Sequence, residues 1–212
     1  MEPDLRFPAR IGLVKLYNGR ISNLSAEEIE EWSNAKERLG GGFGEFIPVS
    51  SLIAESVYTA PQTPSRQSQA RELMRKVRLA SARQHLDVTL IYEVFSSSKQ
   101  TKLATSVADW TIVGAYFVPS KSIETTGFAN ALLMDVRTGY PYGTASASLS
   151  ADDLASTFDR RDKLRNLKDR NQIETALQLV PEVESMMRDL MKELADSETE
   201  ARSLESVAVA NP

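Results

Sequence analysis

The chain contains no cysteine and a single histidine in 212 residues. Lack of cysteine removes disulfide frameworks, thiolate nucleophiles and zinc–thiolate sites together. With one imidazole, any acid–base scheme of that kind depends on His85 alone, and no Gly-x-Ser-x-Gly frames a nucleophilic serine. No apolar run reaches the length of about 18 residues that a membrane helix needs. The opening MEPDLRFPAR lacks the apolar stretch of a secretory leader. Read as it stands, the chain is expected in the cytoplasm; if a leader had preceded Met1, the same residues would be the mature part of a periplasmic, outer-membrane-anchored protein. Strong basic charge is missing too: the net charge is −4 and the pI about 5.2, so the average field repels nucleic acid and anionic lipid.

What is present is ordinary for a folded domain: 42% hydrophobic and 25% charged residues. RIGLVKLY (10–17) alternates as a strand and ends at Asn18-Gly19. Ser25 with Glu28 forms a capping box, and Ile29, Trp32, Ala35, Lys36 and Leu39 continue at helical spacing. GGGFGEF (40–46) stops that helix. A short strand (43–49) and small helix (50–58) follow. Thr63 caps a helix over 65–84, which carries Ala70, Leu73, Val77 and Ala80 on one face and Arg71, Arg75 and Arg78 on another.

From 86 to 149 the period changes to two. LDVTLIYEVF (86–95) puts Leu86, Val88, Leu90, Tyr92 and Val94 on one face, and 103–119 is apolar on both faces, as a central strand would be. A strand over 125–137 turns Phe128, Leu132, Met134 and Val136 one way. In the last strand, 142–149, Gly143, Ala145 and Ala147 share a face small enough for a helix to approach. A helical region then runs to about 196 with Ile173, Leu177, Val180, Met187, Leu190 and Leu194 as its stripe. Pro181 is expected to kink or divide it. These elements predict a single α/β domain over 9–196: a mixed sheet with an antiparallel four-stranded meander, covered by helices, and a disordered tail over 197–212.

The stretch LLMDVRTGYPYGTASAS (132–148) has the residue types of a catalytic loop. Asp135, Thr138, Gly139 and Gly143 nevertheless read as a structural turn, because Gly139 can take positive φ and the Asp and Thr side chains can bond the turn's own amides. The glycines at 40–44 follow a helix instead of preceding one, the wrong order for a phosphate cradle. His85 reads as a helix-end cap. Glu27, Glu28, Glu30 and Glu31 read as a solvated first turn favoured by the helix dipole. Arg160, Arg161, Lys163, Arg165, Lys168 and Arg170 are interleaved with Asp159, Asp162 and Asp169, as on a salt-bridged surface helix. The stretch Arg71, Arg75, Lys76, Arg78 and Arg83 is less neutralised. No catalytic, cofactor-binding or metal-binding set is expected.

RQHLDVTLIYEV (83–94) and ANALLMDVRTGYPYGTASAS (129–148) carry a resemblance. With an opening strand like ARIGLVKLY (9–17), the chain resembles a group of uncharacterised bacterial envelope lipoproteins, including those called rhombotarget lipoproteins. Asp87, Leu90 and Tyr92 match their Asp-x-x-Leu-x-Tyr strand, and Asp135, Thr138, Gly139 and Gly143 their Asp-x-x-Thr-Gly-x-x-x-Gly hairpin. More distantly it is similar to the periplasmic α/β domain of the curli secretion lipoprotein, the lipoprotein activators of peptidoglycan synthases and the N-terminal domain of TolB. The resemblance implies a non-enzymatic envelope interaction or assembly factor with a protein partner, joined to the membrane only through a lipid anchor and not binding nucleic acid; self-association stays open. An exposed sheet edge, or a helix bearing Met186, Met187 and Met191, would form the contact. The alternative it implies is an oligomeric secretion or pore subunit like the curli exporter, in which strands 103–119 and 125–137 would line a barrel and Asp109 and Asn130 would face its lumen.

Overall fold

The computed structural model describes residues 5–17, 20–55, 66–96, 125–150 and 164–209. Its six strands form one mixed sheet: β1 (Ala9–Tyr17), β2 (Arg20–Ser22), β3 (Gly44–Pro48), β4 (Val88–Ser96), β5 (Thr125–Asp135) and β6 (Pro141–Ser150). Among the described residues four helices accompany them: α1 (Ala26–Leu39), α2 (Ser51–Glu55), α3 (Arg66–Arg83) and α4 (Leu164–Val209). Strand order is β2-β1-β4-β5-β6, and β3 shares the outer edge of β1 with β2. Residues 9–13 of β1 pair in parallel with β3, and residues 15–17 pair antiparallel with β2. The β1–β4 pair is parallel, whereas β4–β5 and β5–β6 are antiparallel.

The two-residue period sends alternate side chains to two separate cores. One face offers Ile11, Leu13, Leu90, Tyr92, Ala131 and Leu133 to Trp32 and Ala35 of α1 and to Leu179, Val183 and Met187 of α4. The other offers Val14, Leu16, Ile91, Leu132 and Met134 to Met74, Val77 and Ala80 of α3. The result is a three-layer sandwich, with each large buried side chain contributing about 1.5–3 kcal/mol.

Small residues set the spacing where α4 crosses the sheet. A Cβ on Gly143 would stand 2.9 Å from the Met186 sulfur, and one on Gly127 would stand 2.1 Å from Thr175 Oγ1. Ala145 and Ala147 complete that face. Gly44 has φ +113, and an added Cβ would lie 2.0 Å from the Ala9 carbonyl oxygen, so only glycine lets β3 start beside β1.

Several expectations need correction. Leu86 does not share the face of Val88; it lies in the α3-side core. Leu86 lies ahead of the strand: His85, with φ of 55, turns the chain out of α3 in a Schellman ending, with Leu86 N donating to Ser81 O (3.1 Å) and His85 N to Ala82 O (3.0 Å), and a bend at Asp87 separates Leu86 from Val88. Pro181 does not divide the C-terminal region, since α4 is one helix of 46 residues with that proline inside. Nor does helix end near 196: α4 runs on to Val209, through a tail that holds helix-forming Glu and Ala and has no Gly or Pro before the helix ends. The buried stripe is Ala176, Leu179, Val180, Val183, Met187 and Leu190, with Ile173 and Leu177 at its margin. The strand expected at 103–119, the Asn18-Gly19 turn and the Thr63 cap lie outside the described residues. In the described sheet β4 and β5 pair directly, Ile91 opposite Leu132 and Glu93 opposite Asn130.

Candidate functional site

The β5–β6 connection brings Asp135, Thr138 and Gly139 together. Asp135 Oδ1 accepts from the Thr138 backbone N–H and from Thr138 Oγ1 (2.8 Å). Its Oδ2 accepts from the Tyr142 hydroxyl (3.4 Å). Thr138 Oγ1 in turn accepts from Tyr140 N (3.1 Å), and the backbone closes with Gly139 N to Asp135 O (3.0 Å) and Asp135 N to Tyr140 O (2.9 Å). Gly139 sits at φ +78, the left-handed region such a turn requires. Arg78 of α3 then clasps the turn from outside, donating from Nε to Val136 O (3.0 Å) and from Nη2 to Arg137 O. Oδ1 of Asp135 is thus occupied by the turn itself, and Oδ2 faces the Tyr142 hydroxyl of β6. Gly143 lies apart from this cluster, on β6 against Met186.

Asp87 performs a similar service at the start of β4. Its Oδ2 accepts from Arg10 N (2.8 Å), its own N–H donates to Arg10 O (2.9 Å), and its carbonyl accepts from Val136 N (3.1 Å). The Arg10 side chain caps the end of α3, donating to His85 O (2.9 Å) and Gln84 O (3.3 Å). The role of His85 visible here is therefore carried by its backbone.

A third cluster was hidden from the sequence. Glu28, expected on a solvated face, is 1% exposed. It still completes the capping box, with Oε2 accepting from Ser25 N (2.8 Å) while Ser25 Oγ accepts from Glu28 N (3.2 Å). The same carboxylate accepts from Lys15 Nζ of β1 (2.8 Å) and from the Tyr92 hydroxyl of β4 (3.0 Å). Burial first, then the Glu28 charge and the hydrogen bond to it, push the Tyr92 phenol well above its ordinary pKa. The capping box marks Glu28 locally, but its burial and its bonds to Lys15 and Tyr92 are not encoded there, because those partners come from β1 and β4. Glu31, by contrast, does reach the surface and pairs with Arg38 Nη2 (2.7 Å).

Arg38 also donates from Nε to Glu184 Oε1 (2.9 Å), and Arg188 Nη2 reaches Glu184 Oε2 (2.9 Å). Glu184 is buried, so this cluster ties α1 to α4. The hydrogen bond to Glu184, then that to Glu31, raises the Arg38 guanidinium above its usual range. The methionines expected on a partner-seeking helix are held inside: Met187 is fully buried, and Met186 and Met191 pack against the same core. Asn130, which a pore would turn to its lumen, is 1% exposed within the sheet, and its Oδ1 has no donor among the described residues. The described residues include no group of three or more acidic, histidine or cysteine side chains able to hold a metal ion. Most of the basic stretch over 160–170 lies outside the described residues or their described side chains.

What remains open is a surface. β6 carries no charged residue along its ten positions, and among the described residues only β5 pairs with it. Its inward side chains meet α4, whereas Thr144, Ser146 and Ser148 point to the α3 side and are exposed. Uncharged edges of that length are uncommon on free surfaces, because they template pairing with another strand.

No family model and no curated protein matches this chain. Among solved structures it is similar to the LpoB C-terminal domain from Salmonella enterica, at 14% identity and TM-score 0.36, over 69% of this chain and 85% of that one. It is also similar to lipoprotein GNA1162 from Neisseria meningitidis, at 18% identity and TM-score 0.34, over 76% of this chain and 90% of that one.

Proposed function

We propose that this protein is a non-enzymatic interaction or assembly factor of the bacterial cell envelope, working in the periplasm at the outer membrane through protein–protein contacts. The observation that carries this reading is β6: a ten-residue strand without charge, packed on one face by α4 and open along Thr144, Ser146 and Ser148 on the other. Two supports accompany it. The polar residues that resemble machinery are committed to the fold, Asp135 to its turn, Asp87 to the β1–β4 junction and Glu28 to the base of α1. The hairpin and strand motifs also resemble those of envelope lipoproteins. No helix among the described residues is long and apolar enough to cross a membrane.

The pore alternative requires 125–137 to leave the domain. β5 is bonded along both edges, to β4 and to β6, and its Leu132 and Leu133 are buried in opposite cores. Freeing it would split the sheet, so the interaction reading is preferred. Its test is a photo-crosslinking residue at Ser148 in the full chain, expressed in its native bacterium. A discrete adduct with a second polypeptide is expected; no adduct at Ser148 in correctly localised, folded protein would refute the reading.

A further inference from the structure

The geometry points to an acidic segment of a partner protein as the occupant of a groove between α3 and β6; this deepens the interaction reading above and rests on it. The floor is Thr144, Ser146 and Ser148, exposed and neutral, on the α3 side of the sheet. The wall is α3, whose Met74, Val77 and Ala80 pack in one core with Leu132 and Met134 of β5, the strand beside β6. Arg78 fixes which side of α3 faces this way, since it donates to Val136 O and Arg137 O at the β5–β6 turn. Arg75 and Arg71 lie three and seven residues earlier, on the same helical face. Both are exposed, as is Arg137 at the mouth of the groove, and none of these three makes an ion pair with a described residue. Arg10, Arg38 and Arg188 show the opposite behaviour, each meeting a carboxylate of this chain.

A strip of unpaired guanidinium groups in a chain of net charge −4 is a local field of reversed sign. The forked planar guanidinium suits carboxylates, which it binds through two parallel hydrogen bonds. Tyr140, 49% exposed beside Gly139, and Leu79, 40% exposed on α3, add the apolar contact that protein interfaces concentrate around arginine. A nucleic acid strand would need more stacking rings than one tyrosine provides. An extended chain with spaced Glu or Asp residues suits both the floor and the wall, and its backbone can pair with the edge of β6 that no described strand occupies.

The experiment pairs a binding measurement with the crosslink. A fluorescent peptide of alternating Glu and Leu is titrated with the full chain and with the Arg71→Glu/Arg75→Glu variant, folding being checked by circular dichroism. Arg78 is left in place because it holds the turn. Binding that weakens about tenfold in the variant, and that fades as salt rises above about 0.1 M, is expected. Absence of binding, equal binding by the variant, or stronger binding to phosphatidylglycerol vesicles or to oligothymidine overturns the proposal. In cells, a Ser148 adduct that survives Arg71→Glu/Arg75→Glu sinks the acidic groove and leaves the interaction reading standing. No adduct in the unmodified protein sinks both.

Discussion

The Tyr92 hydroxyl donates to Glu28 Oε1 at 3.0 Å, across 64 residues of chain and with both side chains out of contact with water. That bond, with the Lys15 ammonium on the other carboxylate oxygen, joins the base of α1 to the two central parallel strands.

An alkaline instability follows from Tyr92. Its folded pKa is raised, so the neutral phenol is the form the fold favours. The unfolded chain ionises near pH 10 while the folded one does not, so stability is intact below that pH and falls as pH rises through and above it. Urea denaturation at pH 8 and at about pH 11 should show the loss. Tyr92→Phe should flatten this dependence while costing about 1–2 kcal/mol at neutral pH.

Glu28 should be the most sensitive acid of α1. Glu28→Ala leaves the Lys15 charge buried without its partner, at a cost of about 3–5 kcal/mol. Ser25→Ala removes only the cap hydroxyl and should cost about 1 kcal/mol. Denaturant midpoints of the two variants give the comparison, and equal effects would contradict it.

The capping box shows how far sequence reaches. Ser25 and Glu28 are three residues apart, so their reciprocal bonds are legible from spacing alone, and α1 lies where the pattern places it. That Glu28 also meets Lys15 and Tyr92 depends on strand pairing, which local pattern does not encode. The small face of β6 was equally legible, since Gly143, Ala145 and Ala147 alternate in a strand and α4 packs against them. Leu86 was not: its parity with Val88 is correct along the chain, but it belongs to the ending of α3, and a bend at Asp87 breaks the alternation before the strand begins. The polar tail went astray because charged helix formers and disordered segments share a composition.

His85 offers a stabilising substitution. A residue other than glycine in the left-handed region costs about 1 kcal/mol, and glycine relieves it. His85→Gly should therefore raise stability by about 0.5–1 kcal/mol, despite the added freedom of the unfolded chain. Thermal denaturation with an unchanged or lower midpoint would contradict the Schellman assignment.

Two glycines should respond unequally. Gly44→Ala drives a Cβ into the backbone of Ala9 and should cost about 3 kcal/mol or more, whereas Gly143→Ala meets the flexible end of Met186 and should cost about 1 kcal/mol. Calorimetry of the two variants reads the difference directly.

The central claim is that the polar residues inside the sheet serve the fold while binding belongs to the open face of β6. Its most direct measurement is the yield of the Ser148 photo-adduct in cells for Asp135→Asn and for Ser146→Glu, read beside each variant's melting temperature. Asp135→Asn should melt lower yet keep the adduct at a temperature where it is folded, and Ser146→Glu should melt as the parent does and lose it. A folded Asp135→Asn protein without the adduct, beside a Ser146→Glu protein that retains it, would contradict the account.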